Sequence, residues 1–311
     1  MIQTVTGALS KNFQGNVLMH EHIRCVSNDM LKAFGKKWLD DDAFIEHALK
    51  ILKILKEDYA VGLIVDGTPM DLGRDVSVLR ELSLRSGVEI VASSGLYNYP
   101  SMLTFNKSEE AMASWFLEEI ANGIENTSIK PGILKCATDN YGITEENERR
   151  IGALARVQAQ TGFPLYVHCL HQGDTARKAW RILTERGAEP SKIIMGHIAR
   201  CPYEYIADFL DEGCYVCIDQ CHCFSKDIER IAKTLVRLNE RGYGERVLLS
   251  NDCCIYSDFC ESGKEWTEVT QVKETFGYIF EAVREGFYKC GGDETAYQKM
   301  VGQNALKMLD I

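Results

Sequence analysis

The chain has 311 residues, 45% hydrophobic and 26% charged, and its 35 lysines and arginines stand against 45 acids for a net charge of −10. So acidic a balance argues against a protein that grips nucleic-acid phosphates or an anionic membrane surface, and no apolar run is long enough to cross a bilayer. The opening MIQTVTGALS lacks a basic segment followed by an apolar one, so a cytoplasmic protein is expected, with its twelve cysteines as reduced thiols.

Apolar runs of strand length recur at 15–20, 61–66, 89–94, 132–137, 164–168, 193–197, 215–219 and 247–252, and each interval holds about one βα unit. Between them the pattern turns helical. Residues 42–57 put Phe44, Ala48, Ile51 and Leu55 on one stripe behind Asp41 or Asp42 as cap. Thr144 caps the next helix, with Glu145 and Glu146 in its first turn, where the helix dipole favours anions. Residues 173–186, 202–212, 226–241, 267–287 and 293–309 continue the series. Strand–helix alternation of this size predicts an α/β fold, a single (β/α)8 TIM barrel over 1–311. An open doubly wound sheet is the competitor, but no GxGxxG follows the first strand, no GxxxxGK[ST] occurs, and no linker or repeat marks a second domain.

In a barrel the C-terminal strand ends face the active site. Here the first strand ends in Met19-His20-Glu21-His22, the fourth in Ile133-Leu134-Lys135, the fifth in Tyr166-Val167-His168, the sixth in Met195-Gly196-His197 and the eighth in Ser250-Asn251-Asp252. Side chains two apart on a strand point the same way, so His20 and His22 can grip one ion together. With His168, His197 and Asp252 at other strand ends, the set predicts a metal centre. Lys135 closes a buried run, where desolvation lowers the pKa of an ammonium. A neutral amine there has two uses: a Schiff base with a carbonyl substrate, or capture of carbon dioxide as a carbamate whose two oxygens bridge two ions. A Schiff-base lysine needs no four imidazoles around it, which favours the carbamate.

These elements, HEH at 20–22, GILKCAT at 132–138, VH at 167–168, GH at 196–197 and SND at 250–252, resemble the phosphotriesterase-related family of the amidohydrolase superfamily over nearly the whole chain. The resemblance implies a binuclear centre in which His20, His22 and Asp252 bind the more buried metal. It places His168 and His197 on the more exposed one, with carboxylated Lys135 (N6-carboxylysine) and a hydroxide bridging both. Zinc is the default, with manganese, cobalt or iron as alternatives, and a homodimer is implied. Gly95-Leu96-Tyr97 and Cys253-Cys254 look like the lactonase-like members. Two departures concern the substrate: Arg200 stands where those members carry an Asp, and Gln220 where they carry a basic residue.

The expected chemistry is hydrolysis of a small molecule by a bridging hydroxide, with Asp252 taking the proton to the leaving group. Tyr97, Arg200, Gln220 and His222 are the substrate-binding candidates. Arg200 would suit a polar or anionic substrate, and Tyr97 an oxyanion. His171 is expected behind the ligands or facing solvent, and His47 on the polar side of its helix. The eighth loop, 253–266, is long enough to cover a pocket. A lactone or carboxylic ester is the first substrate reading. N-acyl amides and phosphoesters or phosphotriesters are alternatives on the same centre, a Schiff-base lyase using Lys135 is the alternative from another class, and a noncatalytic barrel is a third. Cys214, Cys217, Cys221 and Cys223 are close enough to suggest a separate metal site, but Cys214 and Cys217 have opposite parity and read as small buried hydrophobes.

Overall fold

The computed structural model describes residues 1–139, 142–170, 174–261 and 263–311. His171 and the start of the helix expected at 173 lie outside them. All eight apolar runs become parallel strands: β1 Asn16–Cys25, β2 Val61–Asp66, β3 Glu89–Gly95, β4 Ile133–Ala137, β5 Leu165–His168, β6 Ile193–Met195, β7 Tyr215–Ile218 and β8 Val247–Leu249. Each pairs with its neighbour in the chain, so sheet order repeats sequence order. Beyond β8 the segment expected as a loop forms two more strands. β9 (Cys254–Ser257) runs parallel to β1, with Cys254 opposite His22, and β10 (Glu265–Trp266) pairs antiparallel with β9. In the gap, the Asp252 amide donates to the His20 carbonyl at 3.0 Å and the His22 amide to the Cys253 carbonyl at 2.8 Å. The end of the last barrel-type strand is thus stitched to the first, and the ten strands make a curled, mostly parallel, TIM-like sheet.

The alternation of each strand sorts its apolar residues into two cores. Val17, Met19, Leu63, Val65, Val91, Ile133, Tyr166, Ile194, Cys217 and Leu248 fill the inside of the curl. Leu18, Ile64, Ile90, Leu134, Leu165, Val167, Met195, Val216 and Leu249 meet the helices outside. Helices form where the caps predict. Asp40, one residue earlier than expected, accepts from the amides of Asp42 and Ala43 at the head of Asp41–Tyr59, and Thr144 accepts from Asn147 at the head of Glu145–Thr161.

The helix expected over 267–287 is broken instead. A 3-10 turn at Val269–Glu274 ends at Thr275 (φ −117°, ψ −99°), and a π turn, Ile279–Val283, leads into the short helix Arg284–Lys289. The break buries Phe276 and lets Gly277 press against the Tyr59 ring, where a Cβ would collide. His47 is also not simply solvated. Its Nε2 lies 2.8 Å from the Thr267 carbonyl and its ring meets Trp266 edge-on at 5.2 Å.

One glycine ties the fold to the chemistry. Gly95 ends β3 at φ 149°, and a Cβ there would overlap the Lys135 carbonyl oxygen on β4. Gly95→Ala is expected to lower stability by about 1–3 kcal/mol in urea unfolding; an unchanged midpoint would show that the two strands can part without cost.

Candidate metal centre

The geometry of each strand end decides which side chains reach the inside of the curl. On β1, Val17 and Met19 face inward, so strict alternation would turn His20 and His22 outward. A register shift prevents this: Leu18 lies opposite Ile64 but Glu21 opposite Asp66, so β1 carries one residue more than β2. The bulge flips the parity. His20 then stacks on Tyr166 with centroids 4.0 Å apart and planes 9° from parallel, and His22 stands edge-on to His20 at 5.0 Å. Lys135 and His168 need no such device, since they follow the inward-facing Ile133 and Tyr166 by two residues.

His197 and Asp252 reach the site by turns. Gly196 occupies an inward position already filled by the Tyr166 ring, which a Cβ would strike. The chain then adopts φ 59° at His197, and Gln220 (φ 55°) and Asp252 (φ 58°) do the same after β7 and β8. Three neighbouring strand ends thus hold non-glycine residues in the left-handed region, a conformation that persists only where surrounding contacts enforce it. These turns are why β6 and β8 stop at Met195 and Leu249, short of the expected ends at 197 and 252.

The resulting cluster is dense in nitrogen and carboxylate. The Lys135 ammonium nitrogen, Nζ, lies 2.9 Å from His20 Nε2 and 4.4 Å above the Tyr166 ring. Asp252 Oδ1 is 3.2 Å from His20 Nε2 and 3.3 Å from His22 Nε2, and its Oδ2 is 3.6 Å from His197 Nδ1. His168 and His197 have ring centroids 4.1 Å apart, and His197 lies 5.2 Å from His20. Burial lowers the His20 and His168 pKa values, with the Lys135 charge adding to the effect on both, so their lone pairs are free to bind a cation. Burial likewise pulls Lys135 down to about 8. Burial alone would raise Asp252, but His197, His20 and His22 outweigh it and hold the carboxylate well below its ordinary range.

Metal ions fit this donor set on two observations. Ligand atoms of His20, His22 and Asp252 all lie within 4.8 Å of one another. His197 Nε2 is buried without a hydrogen-bond partner, while Nδ1 is engaged at 2.8 Å by Asp219 Oδ1. A carboxylate that engages one nitrogen of an imidazole leaves the other nitrogen with a lone pair available to a metal ion.

The substrate candidates divide. Tyr97 is at the site, its hydroxyl donating to Asp139 Oδ2 at 2.7 Å and lying 3.2 Å from His168 Nε2. Its proton is therefore committed to Asp139 rather than offered to an oxyanion. Gln220 donates from Nε2 to Asp252 Oδ2 at 2.8 Å, which makes it a clamp on Asp252. His222 lies beside Cys223 and Cys253. Arg200 turns toward Asp227 at 3.5 Å and over the Phe224 ring at 4.6 Å, away from the role expected of it.

Supporting residues were missed. Asp219 also accepts from the Tyr166 hydroxyl and, at 3.1 Å, from the His197 amide, so it orients both. Glu21 accepts from Ser250 Oγ, the Asn251 amide and the Cys253 amide, each at 2.8 Å, pinning the Asp252 turn to β1. Thr68 Oγ1 holds His22 Nδ1 at 2.8 Å, and the Thr68 amide donates to Asp66. Asp66 and Asp219 close strands, so the rule applied to the histidines also points to them; Glu21 lies within the HEH motif itself.

Two measurements check this geometry. In metal-free, carbonate-free protein the unfolded chain keeps the Lys135 proton up to its ordinary 10.5 while the folded chain releases it near 8. Its contribution to stability therefore rises with pH across that window, by about 3 kcal/mol, and Lys135→Met should remove the rise. A wild-type-minus-variant difference that is flat from pH 8 to 10.5 would contradict the burial. Asp219→Ala should weaken metal binding about 10–100-fold by competition with a chelator; unchanged affinity would mean that Asp219 does not orient His197.

The profile of the phosphotriesterase family matches residues 1–304. An aryldialkylphosphatase of Saccharolobus solfataricus is 28% identical over 300 residues, covering 94% of each chain. A phosphotriesterase homology protein of Mycobacterium tuberculosis is 30% identical over 273 residues, 83% of this chain and 82% of that one. An N-acetyltaurine hydrolase of Rattus norvegicus is 26% identical over 294 residues, 81% and 83% of the two chains.

Proposed function

Because this chain belongs to the phosphotriesterase family, we propose that it is a metal-dependent hydrolase built as a single (β/α)8 barrel over 1–311, acting on a lactone or related carboxylic ester. The observation that carries the proposal is Lys135 Nζ at 2.9 Å from His20 Nε2, beside ligand atoms of His20, His22 and Asp252 within 4.8 Å of one another. Hydrolysis is also the reaction named in the relatives, one an aryldialkylphosphatase and another an N-acetyltaurine hydrolase.

In this reading His20, His22 and Asp252 would hold one divalent ion, His168 and His197 would hold a second, and carboxylated Lys135 would serve as a ligand to both. Zinc is the default. Bound there, two such ions supply Lewis acidity and a water acidified enough to attack at neutral pH. The protein's own residues do the rest. Asp252 takes the nucleophile's proton on Oδ2, the oxygen held by Gln220, and delivers it to the leaving group. A carboxamide relays no proton, so this transfer is direct. Asp219 fixes the His197 ring, Tyr97 and Asp139 restrain His168, and Glu21 keeps the Asp252 turn on β1.

The anionic-substrate expectation rested on Arg200, whose guanidinium faces Asp227 and Phe224, so no anionic group is required of the substrate. The N-acyl amide is the second reading, favoured by the N-acetyltaurine hydrolases among the relatives; a phosphoester is served by the same attack. A Schiff-base lyase is disfavoured because the Lys135 amine faces His20 rather than open space.

A panel of lactones, carboxylic esters, N-acyl amino acids and phosphotriesters tests the proposal on metal-loaded protein. Lactone or ester turnover should be fastest, vanish with a chelator and return with zinc. Turnover that survives chelation, or borohydride trapping of Lys135 on a carbonyl substrate, would overturn it, and silence on every substrate would favour a noncatalytic barrel. Tyr97→Phe should lower kcat/KM by less than about tenfold, because removing a true oxyanion donor costs about 10²–10³; a loss of that larger size would return Tyr97 to the oxyanion.

A further inference from the structure

The loop after β3 brings Tyr97 to His168 without a helix to stiffen it, since the next helix begins only at Glu109. The Leu96 amide still bonds to the Lys135 carbonyl at 3.1 Å, and turns resume at Ser101, whose carbonyl accepts from the Thr104 amide at 3.2 Å. Between those points charged side chains hold the main chain. Asp71, on the 3-10 turn Met70–Leu72 after β2, accepts the Tyr97 amide on both oxygens, at 2.9 and 3.0 Å. Arg150, on the helix after β4, donates from Nη1 to the Tyr97 carbonyl at 2.9 Å and to the Tyr99 carbonyl at 2.7 Å. Its Nε and Nη2 meet Thr104 Oγ1 at 3.1 and 2.6 Å, which fixes the far side of the loop.

We propose that Asp71 and Arg150 are positioning residues for the metal centre: by gripping the peptide on either side of Tyr97 they set its ring and hydroxyl against His168. The proposal rests on the binuclear reading above, in which His168 would bind the second ion. The Tyr97 ring stands edge-on to His168 with centroids 5.0 Å apart, and its hydroxyl lies 3.2 Å from His168 Nε2 and 2.7 Å from Asp139 Oδ2. With amide and carbonyl both held, only the side-chain torsions separate a fixed backbone from that hydroxyl, and these fall into a few staggered wells.

The cost of the clamp argues that it does more than tether a loop. Arg150 is 1% exposed, and a buried guanidinium is unfavourable unless its donors are satisfied. Glu146 supplies a further acceptor to its Nη2. Burial pushes the Asp71 carboxyl up to about 6, against the pull of the Tyr97 amide and the Arg150 charge, so it is an anion at neutral pH. Hydrogen bonds from and to such charged groups are shorter and stronger than neutral ones. The segments after β2 and β4 thus each commit a buried charge to the placement of one tyrosine on the loop between them.

Chelator competition on zinc-loaded protein tests the proposal. Asp71→Ala should weaken retention of one of the two ions about tenfold, and Arg150→Met should act in the same direction. Asp71→Asn should restore most of the loss, because a carboxamide oxygen can still accept the Tyr97 amide. Adding Tyr97→Phe to Asp71→Ala should cost nothing further, since both act on one contact. Unchanged retention in Asp71→Ala, or losses that multiply in the double variant, would overturn the proposal. Hydrogen exchange on metal-free protein reads the clamp without the ions: the Tyr97 amide should exchange at least about tenfold faster in Asp71→Ala, while the helix Asp41–Tyr59 keeps its wild-type rates. An unaltered Tyr97 rate would also overturn it. Fewer than two ions in the wild type would overturn the binuclear reading itself, a failure told apart by Tyr97 exchange that still responds to Asp71→Ala.

Discussion

Four imidazoles, one amine and the Asp252 carboxylate, packed together into a water-poor space, set the terms for everything around them. Lys135 is 1% exposed and His20 1%, with His197 at 3%, so none can keep a charge through hydration, and each must be neutral, paired or bound. Asp252 contacts His20, His22 and His197, and Asp219 is engaged by Tyr166 and His197. In the proposed reading, carboxylation of Lys135 would replace a buried cation by an anion able to serve as a ligand. His197 Nε2 is likewise buried without a hydrogen-bond partner, and in the proposed reading a metal ion would supply one.

Holding such a cluster requires the strands to depart from regularity where the ligands stand. β1 gains a residue so that Met19 can fill the curl while His20 and His22 still point inward. His197, Gln220 and Asp252 take left-handed backbone at successive strand ends. These costs are offset by contacts from one end to the next: Glu21 binds the Asp252 turn, the Gln220 amide donates to the Asn251 carbonyl, and Asp219 takes the His197 amide. The inner core below, from Val17 to Leu248, gives those ends a rigid platform.

Much of this was legible in the sequence, for physical reasons that also explain the gaps. Apolar runs of strand length are strong signals, and all eight appear as strands; capping residues such as Thr144 were equally plain. The helix over 267–287 misled because its pattern carries no mark of the close approach between Gly277 and Tyr59. The candidate ligands were found from residue type and strand position, but the pairing of His20 with His22 was argued from simple alternation, whereas the bulge produces their orientation. Arg200 shows the limit most clearly. Its place after the sixth strand suggests a pocket cation, yet the direction of a long side chain depends on Asp227 and Phe224, which are distant in sequence.

The central claim is that Lys135 bridges two ions as a carbamate, and carbon-13 NMR of protein loaded with zinc in labelled bicarbonate tests it most directly. A carbamate carbon resonance should appear in the wild type together with two bound ions per chain, and both should be lost in Lys135→Arg. Two tightly bound ions without a carbamate signal, or a signal that survives in Lys135→Arg, would contradict the account.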